Sequence, residues 1–160
     1  MTDEQHDADP PAGDGRDPYL EALVSAANTY GLSFDVTLHV SGVIVSGRLI
    51  SGAVFFRQLA ETLRGITSGA DAPEGAEATR EMLAGIYDAA AEVFEDQVER
   101  EQTKDSDTGG QRLGAAVAHI HLRDAAIWTP GAGGALPSGL WRGRLSHVSG
   151  WSHGALAYHE

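Results

Sequence analysis

The chain has 160 residues, no cysteine, 23 acids against 11 bases and a formal net charge of −12. Its length suits one domain with a real core and is short for two. The missing cysteines exclude a disulfide framework, a thiolate metal site and a cysteine nucleophile, and fit a reducing cytosol. The acid excess argues against non-specific binding to nucleic acid or to an anionic membrane surface.

Residues 1–16 hold proline, glycine and acids with almost nothing to bury, so a disordered acidic tail is expected there. The tail is polar throughout, unlike a secretory leader. Asp17 is placed to cap a helix, with Pro18 at its first position. Leu20, Leu23, Val24 and Ala27 share a helical face, and Gly31 is a natural C-terminal stop.

Phe34 to Val40 alternates apolar and polar residues, the mark of a half-buried strand. Ser41-Gly42 makes a tight turn into a second strand, Val43 to Ser51, with Gly47 inside it as a point of bending. The period then turns helical. Phe55, Phe56, Leu59, Leu63 and Ile66 line one helix from about residue 53. Met82, Leu83, Ile86, Tyr87, Ala90, Val93 and Phe94 form the expected buried stripe of a second helix, from about 78 to 101. Residues 102–114 read as a flexible loop.

Strands return at Val117. Ile120 and Leu122 are expected to face inward, with His119 and His121 on the other side. Thr129 to Gly139 reads as a proline- and glycine-rich loop. Trp141 to Val148 is the expected fourth strand, bent at Gly143, and Trp151 to His159 the fifth. The expected architecture is therefore α+β: a single domain over 17–160, with an N-terminal helix and a Sm-like or SH3-type small β-barrel of about five bent strands. Its helical insertion, about 53–101, lies between strands 2 and 3. No apolar run approaches the roughly 18 residues of a membrane helix.

Charge is distributed unevenly. Residues 71–107 carry twelve acids and three bases. From Gln111 onward the balance reverses, with Arg112, Arg123, Arg142 and Arg144 against Asp124 and Glu160. An acidic periphery thus surrounds a slightly basic body.

No residue pattern specifies catalysis. His119 and His121 have the spacing of a shared metal, but a site needs a third ligand such as His39, His147 or His153. The plain alternative is the solvent face of a half-buried strand. There is no Gly-x-Ser-x-Gly elbow and no phosphate loop ending in Gly-Lys-Ser/Thr. Arg48, Arg142 and Arg144 form a possible RNA strip, as a Sm-like topology suggests, but without evident stacking aromatics beside them. Trp128 and Trp151 beside arginines also suit a protein contact surface.

Four of these blocks resemble one known family. Tyr19-Leu20-Glu21, followed by Tyr30 through Val40, looks like the opening of gas vesicle protein U. Val43-Ile44-Val45-Ser46-Gly47-Arg48-Leu49-Ile50-Ser51 looks like its next strand. Ile120-His121-Leu122-Arg123-Asp124-Ala125 and Trp141-Arg142-Gly143-Arg144-Leu145-Ser146 resemble its later ones. The resemblance implies a cytoplasmic, non-enzymatic accessory protein associated with gas vesicles, without a cofactor. Its implied role is to modulate clustering or assembly of vesicles. Implied partners are gas vesicle proteins or the vesicle surface, and a homo-oligomer is expected. The expected contact residues are Arg142, Arg144 and Trp151, with Arg48 and Trp128. The competing reading is a Sm-like RNA-binding module.

Overall fold

The computed structural model describes residues 15–67, 69, 72–108 and 117–156, with backbone alone at 101, 102 and 104–108. Most of the expected acidic tail, the segment 109–116 and the last four residues lie outside the described residues.

Helix α1 spans Pro18–Tyr30. The Asp17 carboxylate accepts the backbone N–H groups of Tyr19 and Leu20 at 2.8 and 3.0 Å, satisfying two donors that a helix start leaves open. Gly31 ends the helix in the left-handed region, at φ 66°. Strands β1 (Phe34–Val40) and β2 (Val43–Ile50) pair antiparallel. Ser41 and Gly42 both take positive φ, which matches the right-handed twist of a two-residue hairpin.

Helix α2 covers Gly52–Gly65 and is capped by Ser51, whose hydroxyl accepts the Val54 N–H. Helix α3 covers Ala76–Thr108, running past the expected end at 101 into the stretch read as a loop. Strands β3 (His119–Trp128) and β4 (Ala135–Arg144) follow, then a single 3₁₀ turn at Leu145–His147, then β5 (Val148–His153). The sheet order is β4-β3-β2-β1-β5, antiparallel throughout.

The architecture is α+β with helices inserted between strands 2 and 3, but the sheet is open. Strands β4 and β5 are its edges and each has one neighbour among the described residues. The face that a barrel would turn inward is covered by α1 instead. Leu20, Val24 and Ala27 are fully buried there with Val36, Leu38, Val45, Leu49, Ile120, Leu122 and Leu145. Each buried aliphatic side chain of this size stabilises the fold by about 1.5–3 kcal/mol.

The strand boundaries after Trp128 also differ from the sequence reading. β4 begins at Ala135, inside the segment read as a loop, and ends at Arg144. Its Pro137 lacks an N–H and Gly139 sits at φ 67°, both tolerated because β4 is an edge strand. Gly143 is also required for packing. A Cβ there would lie 2.1 Å from the tip of the Trp141 ring, so the absent side chain makes room for the indole. Gly47 lies where the β2–β3 register shifts, opposite the bulge at Asp124.

Candidate functional site

The second face of the sheet is built differently. Thr37, Ser46, Arg48, Ile50, His121, Arg123 and Arg142 project from it, as the cross-strand pairs Thr37–Ser46, Arg48–Arg123, Ile50–His121 and His121–Arg142 require. Helices α2 and α3 cover part of this face. Phe55 of α2 sits 4.8 Å from the His121 ring, centroid to centroid; Phe56 lies at 5.8 Å and Phe94 of α3 at 5.7 Å. Phe94 also packs over the start of α2, where a Cβ on Gly52 would fall 2.5 Å from its ring. The two helices are clasped from outside by Arg57–Glu95, Arg64–Glu81 and Arg64–Asp88.

His121 is therefore 1% exposed, not a solvent-facing residue as its alternation with Ile120 and Leu122 suggested. Both faces of β3 are covered, so alternation there separates two interiors. Burial, then the charges of Arg142 and His119, lower the His121 pKa to about 3, so the ring is neutral at physiological pH. Arg142 donates its Nε–H to His121 Nε2 at 3.2 Å, and its guanidinium lies 5.8 Å over the Phe56 ring. An arginine can only donate. Nε2 must then carry the lone pair and Nδ1 the proton. Nδ1 has no hydrogen-bond partner.

This tautomer bears on the metal reading of His119 and His121. The His121 nitrogen with a lone pair is already occupied by Arg142. Among the described residues no group of three histidines, aspartates or glutamates is placed to hold a metal ion.

A cavity of about 180 Å³ opens beside His121, at the junction of α1, α3 and β3. Ser25 and Asn28 line it from α1, Phe94 and Val98 from α3, His119 and His121 from β3. Asn28 Oδ1 accepts the Gly52 N–H at 2.9 Å, tying α1 to the start of α2. Burial, then Arg142 and Arg144, also lower the His119 pKa.

The residues expected to form a contact face are only partly brought together. Arg48, Arg142 and Arg144 share this second face with Arg123. Arg48 is committed to Asp35 through a two-point pair at 2.8 and 3.2 Å, which lowers the Asp35 pKa and raises that of Arg48. Trp128 is half-buried at the end of β3, across from Ile44 and Ala135. Trp151 is on the opposite face. It pairs with Leu38, packs against the aliphatic core and hydrogen-bonds the Asp17 carboxylate. Trp151 thus belongs to α1's surroundings and not to the arginine row.

A surface that sequence reasoning missed lies on α3. Ala84 and Ala91 are buried and Tyr87 and Phe94 half-buried, and these form the helix's inner side. Met82, Ile86 and Val93, expected inside, are 57–65% exposed, and Leu83 is 41% exposed. They make an apolar ridge at helical spacing, with Glu92, Asp96 and Glu99 on its flank. An amphipathic stripe identifies residues that share a face; it does not say which stripe meets the sheet.

These features describe a small α+β protein with an occluded neutral histidine, an arginine row and an exposed apolar ridge. The profile of the gas vesicle protein GvpU-like family matches residues 17–156, and the chain belongs to that family. Membership makes it a gas vesicle-associated protein. No curated protein and no solved structure matches the chain. No helix among the described residues is long and apolar enough to cross a membrane.

Proposed function

We propose that this protein is a non-enzymatic, cytoplasmic gas vesicle accessory that modulates vesicle clustering or assembly through protein–protein contacts and self-association. The observation that carries the contact reading is the α3 ridge of Met82, Leu83, Ile86 and Val93. A row of large apolar side chains on an otherwise acidic helix is disfavoured in water and is characteristic of a recognition surface.

Charge argues for the occupant. The ridge is flanked by Glu92, Asp96 and Glu99, so two ridges facing each other bring like charges together. A gas vesicle protein with an apolar and basic surface meets the ridge without that repulsion. The exposed Arg142 and Arg144, with Arg48 and Trp128 along the same sheet face, supply a second contact of opposite sign. One copy's arginine row then attracts another copy's acidic flank. Such head-to-tail contacts do not close on themselves, and they multiply the number of vesicle contacts per assembly.

Purified gas vesicles mixed with the protein test this reading by co-flotation and light scattering. The expected result is binding with a change in cluster size that depends on protein concentration. Absence of both binding and any change in clustering overturns the vesicle reading. Self-association is measured separately by analytical ultracentrifugation, where Arg142→Glu with Arg144→Glu is expected to reduce it.

A further inference from the structure

Two arginines on the edge strand β4 differ from their neighbours. Arg16, Arg48, Arg57, Arg64 and Arg123 each pair with a carboxylate. Among the described residues Arg142 and Arg144 pair with none, although the chain carries 23 acids. Both are exposed, and their spacing puts them on one face of the strand, about 7 Å apart along it. Like charges this close repel: burial, then the charge of Arg144, lowers the Arg142 pKa. Arg142 commits its Nε–H to His121, which orients the guanidinium and leaves its terminal N–H groups for an anion.

The chain itself carries such anions close by. Residues 1–14 include Asp3, Glu4, Asp7, Asp9 and Asp14, with no lysine or arginine. They lead into Arg16, which anchors the junction with the fold. Its guanidinium donates to the Val117 carbonyl at 3.0 Å and pairs with Glu21 at 3.0 Å. Val117 lies two residues before His119, whose cross-strand partner is Arg144. Two strand residues span about 7 Å and a cross-strand pair about 5 Å. An extended residue covers about 3.3–3.6 Å, so a short part of the acidic segment bridges the gap. The approach is open, because β4 has one neighbour in the sheet among the described residues.

We propose that the acidic segment 1–14 docks on Arg142 and Arg144 of its own chain. Its carboxylates accept from the open N–H groups of the two guanidiniums, and these charge-assisted hydrogen bonds offset the repulsion between the arginines. Tethering holds the acids at an effective concentration on the order of millimolar, so they outcompete the acids of another copy until the protein is crowded. The segment is then a built-in mask over the arginine row. That consequence rests on the proposed head-to-tail contact between copies; the docking itself does not.

Ala8→Cys gives the full-length chain a single cysteine, between Asp7 and Asp9, for a nitroxide spin label. Paramagnetic broadening of backbone amides then reads where the segment sits. No vesicles are needed, so the outcome is independent of the vesicle reading. At about 20 mM salt the Gly143 and Arg144 amides are expected to lose most of their intensity, and those of β5, at the far edge of the sheet, to keep theirs. Asp3→Asn, Glu4→Gln, Asp7→Asn, Asp9→Asn and Asp14→Asn together leave the folded body untouched and are expected to restore both signals. Arg142→Gln with Arg144→Gln should do the same; if that variant does not fold, the neutralised segment decides alone. Absence of broadening at β4, equal broadening at β4 and β5, or broadening that survives neutralisation overturns the proposal. So does broadening in a mixture of spin-labelled chain with ¹⁵N chain carrying no label, because the acids then come from another copy.

Discussion

The two faces of the sheet solve the same problem with different materials. Towards α1 the interior is mainly aliphatic: Leu38, Leu49, Ile120 and Leu122 are each 0% exposed. Towards α2 and α3 it is aromatic and polar: Phe55, Phe56 and Phe94 surround a histidine that an arginine holds by one nitrogen. Leu122 and His121 are neighbours in sequence, yet each is the centre of a different interior. The first face is expected to supply rigidity, because close-packed aliphatic groups tolerate little change in volume. The second is expected to supply sensitivity to pH, because its buried imidazole is neutral and gains a proton only as the chain unfolds in acid.

Substitution at these neighbours separates the two faces most sharply. Leu122→Ala is expected to cost about 2–5 kcal/mol in urea unfolding, since nothing in that core is free to fill the cavity. A loss below about 1 kcal/mol would mean that the aliphatic face is not the main source of stability. Gly143→Ala comes next, at about 1–3 kcal/mol, because the new methyl displaces the Trp141 ring. A change in tryptophan emission is expected to accompany it.

His121→Phe should change stability at pH 7 by only about 1–2 kcal/mol, since it removes an unsatisfied donor and keeps a ring in place but also takes away the acceptor of the Arg142 Nε–H. Its effect lies in the pH dependence. The folded pKa of His121, about 3, is below the ordinary value of 6.5, so between these limits the unfolded chain binds the proton and the native chain does not. The stability of the wild type is then complete above about pH 6.5 and falls as pH drops towards 3. The slope contributed by His121 is up to about 1.4 kcal/mol per pH unit. His119, also lowered, acts with the same sign. Unfolding midpoints between pH 6.5 and 4.5, above the main carboxylate range, should show a shallower slope for His121→Phe than for the wild type. Equal slopes would place the buried proton elsewhere.

The smallest stability effect is expected on the α3 ridge. Ile86→Asp with Val93→Asp should leave the unfolding free energy within about 0.5 kcal/mol at each position, because both side chains already face water. Their effect is expected on association instead.

Local signals carried much of the fold. Asp17, Pro18 and Gly31 specified the ends of α1, and Ser41-Gly42 specified the hairpin, because caps and tight turns depend on a few adjacent residues. The period-2 pattern of Phe34 to Val40 located a strand for the same reason. What covers each surface was not legible. The stripe of α3 was readable, but whether Met82, Ile86 and Val93 or Ala84, Ala91 and Phe94 face inward depends on α2, a separate element. Small alanines let α2 approach closely, and that packing outweighs the larger apolar side chains left in water. Likewise His121 reads as solvent-facing until Phe55, Phe56 and Phe94 arrive from two helices. Strand β4 was hidden because Pro137 and Gly139 look like loop residues, and only its place at the sheet edge makes them acceptable. The arginine row was partly visible in Arg142 and Arg144, but Trp151 was assigned to it from sequence proximity and lies on the other face.

On the proposed reading, the exposed ridge of α3 is the surface through which this gas vesicle protein makes its contacts. Light scattering of purified vesicles with the wild type and with Ile86→Asp/Val93→Asp, at equal concentration and equal folded fraction, tests it most directly. The wild type is expected to change the clustering of the vesicles, and the folded double variant is expected not to. A folded double variant that clusters vesicles as well as the wild type would contradict it.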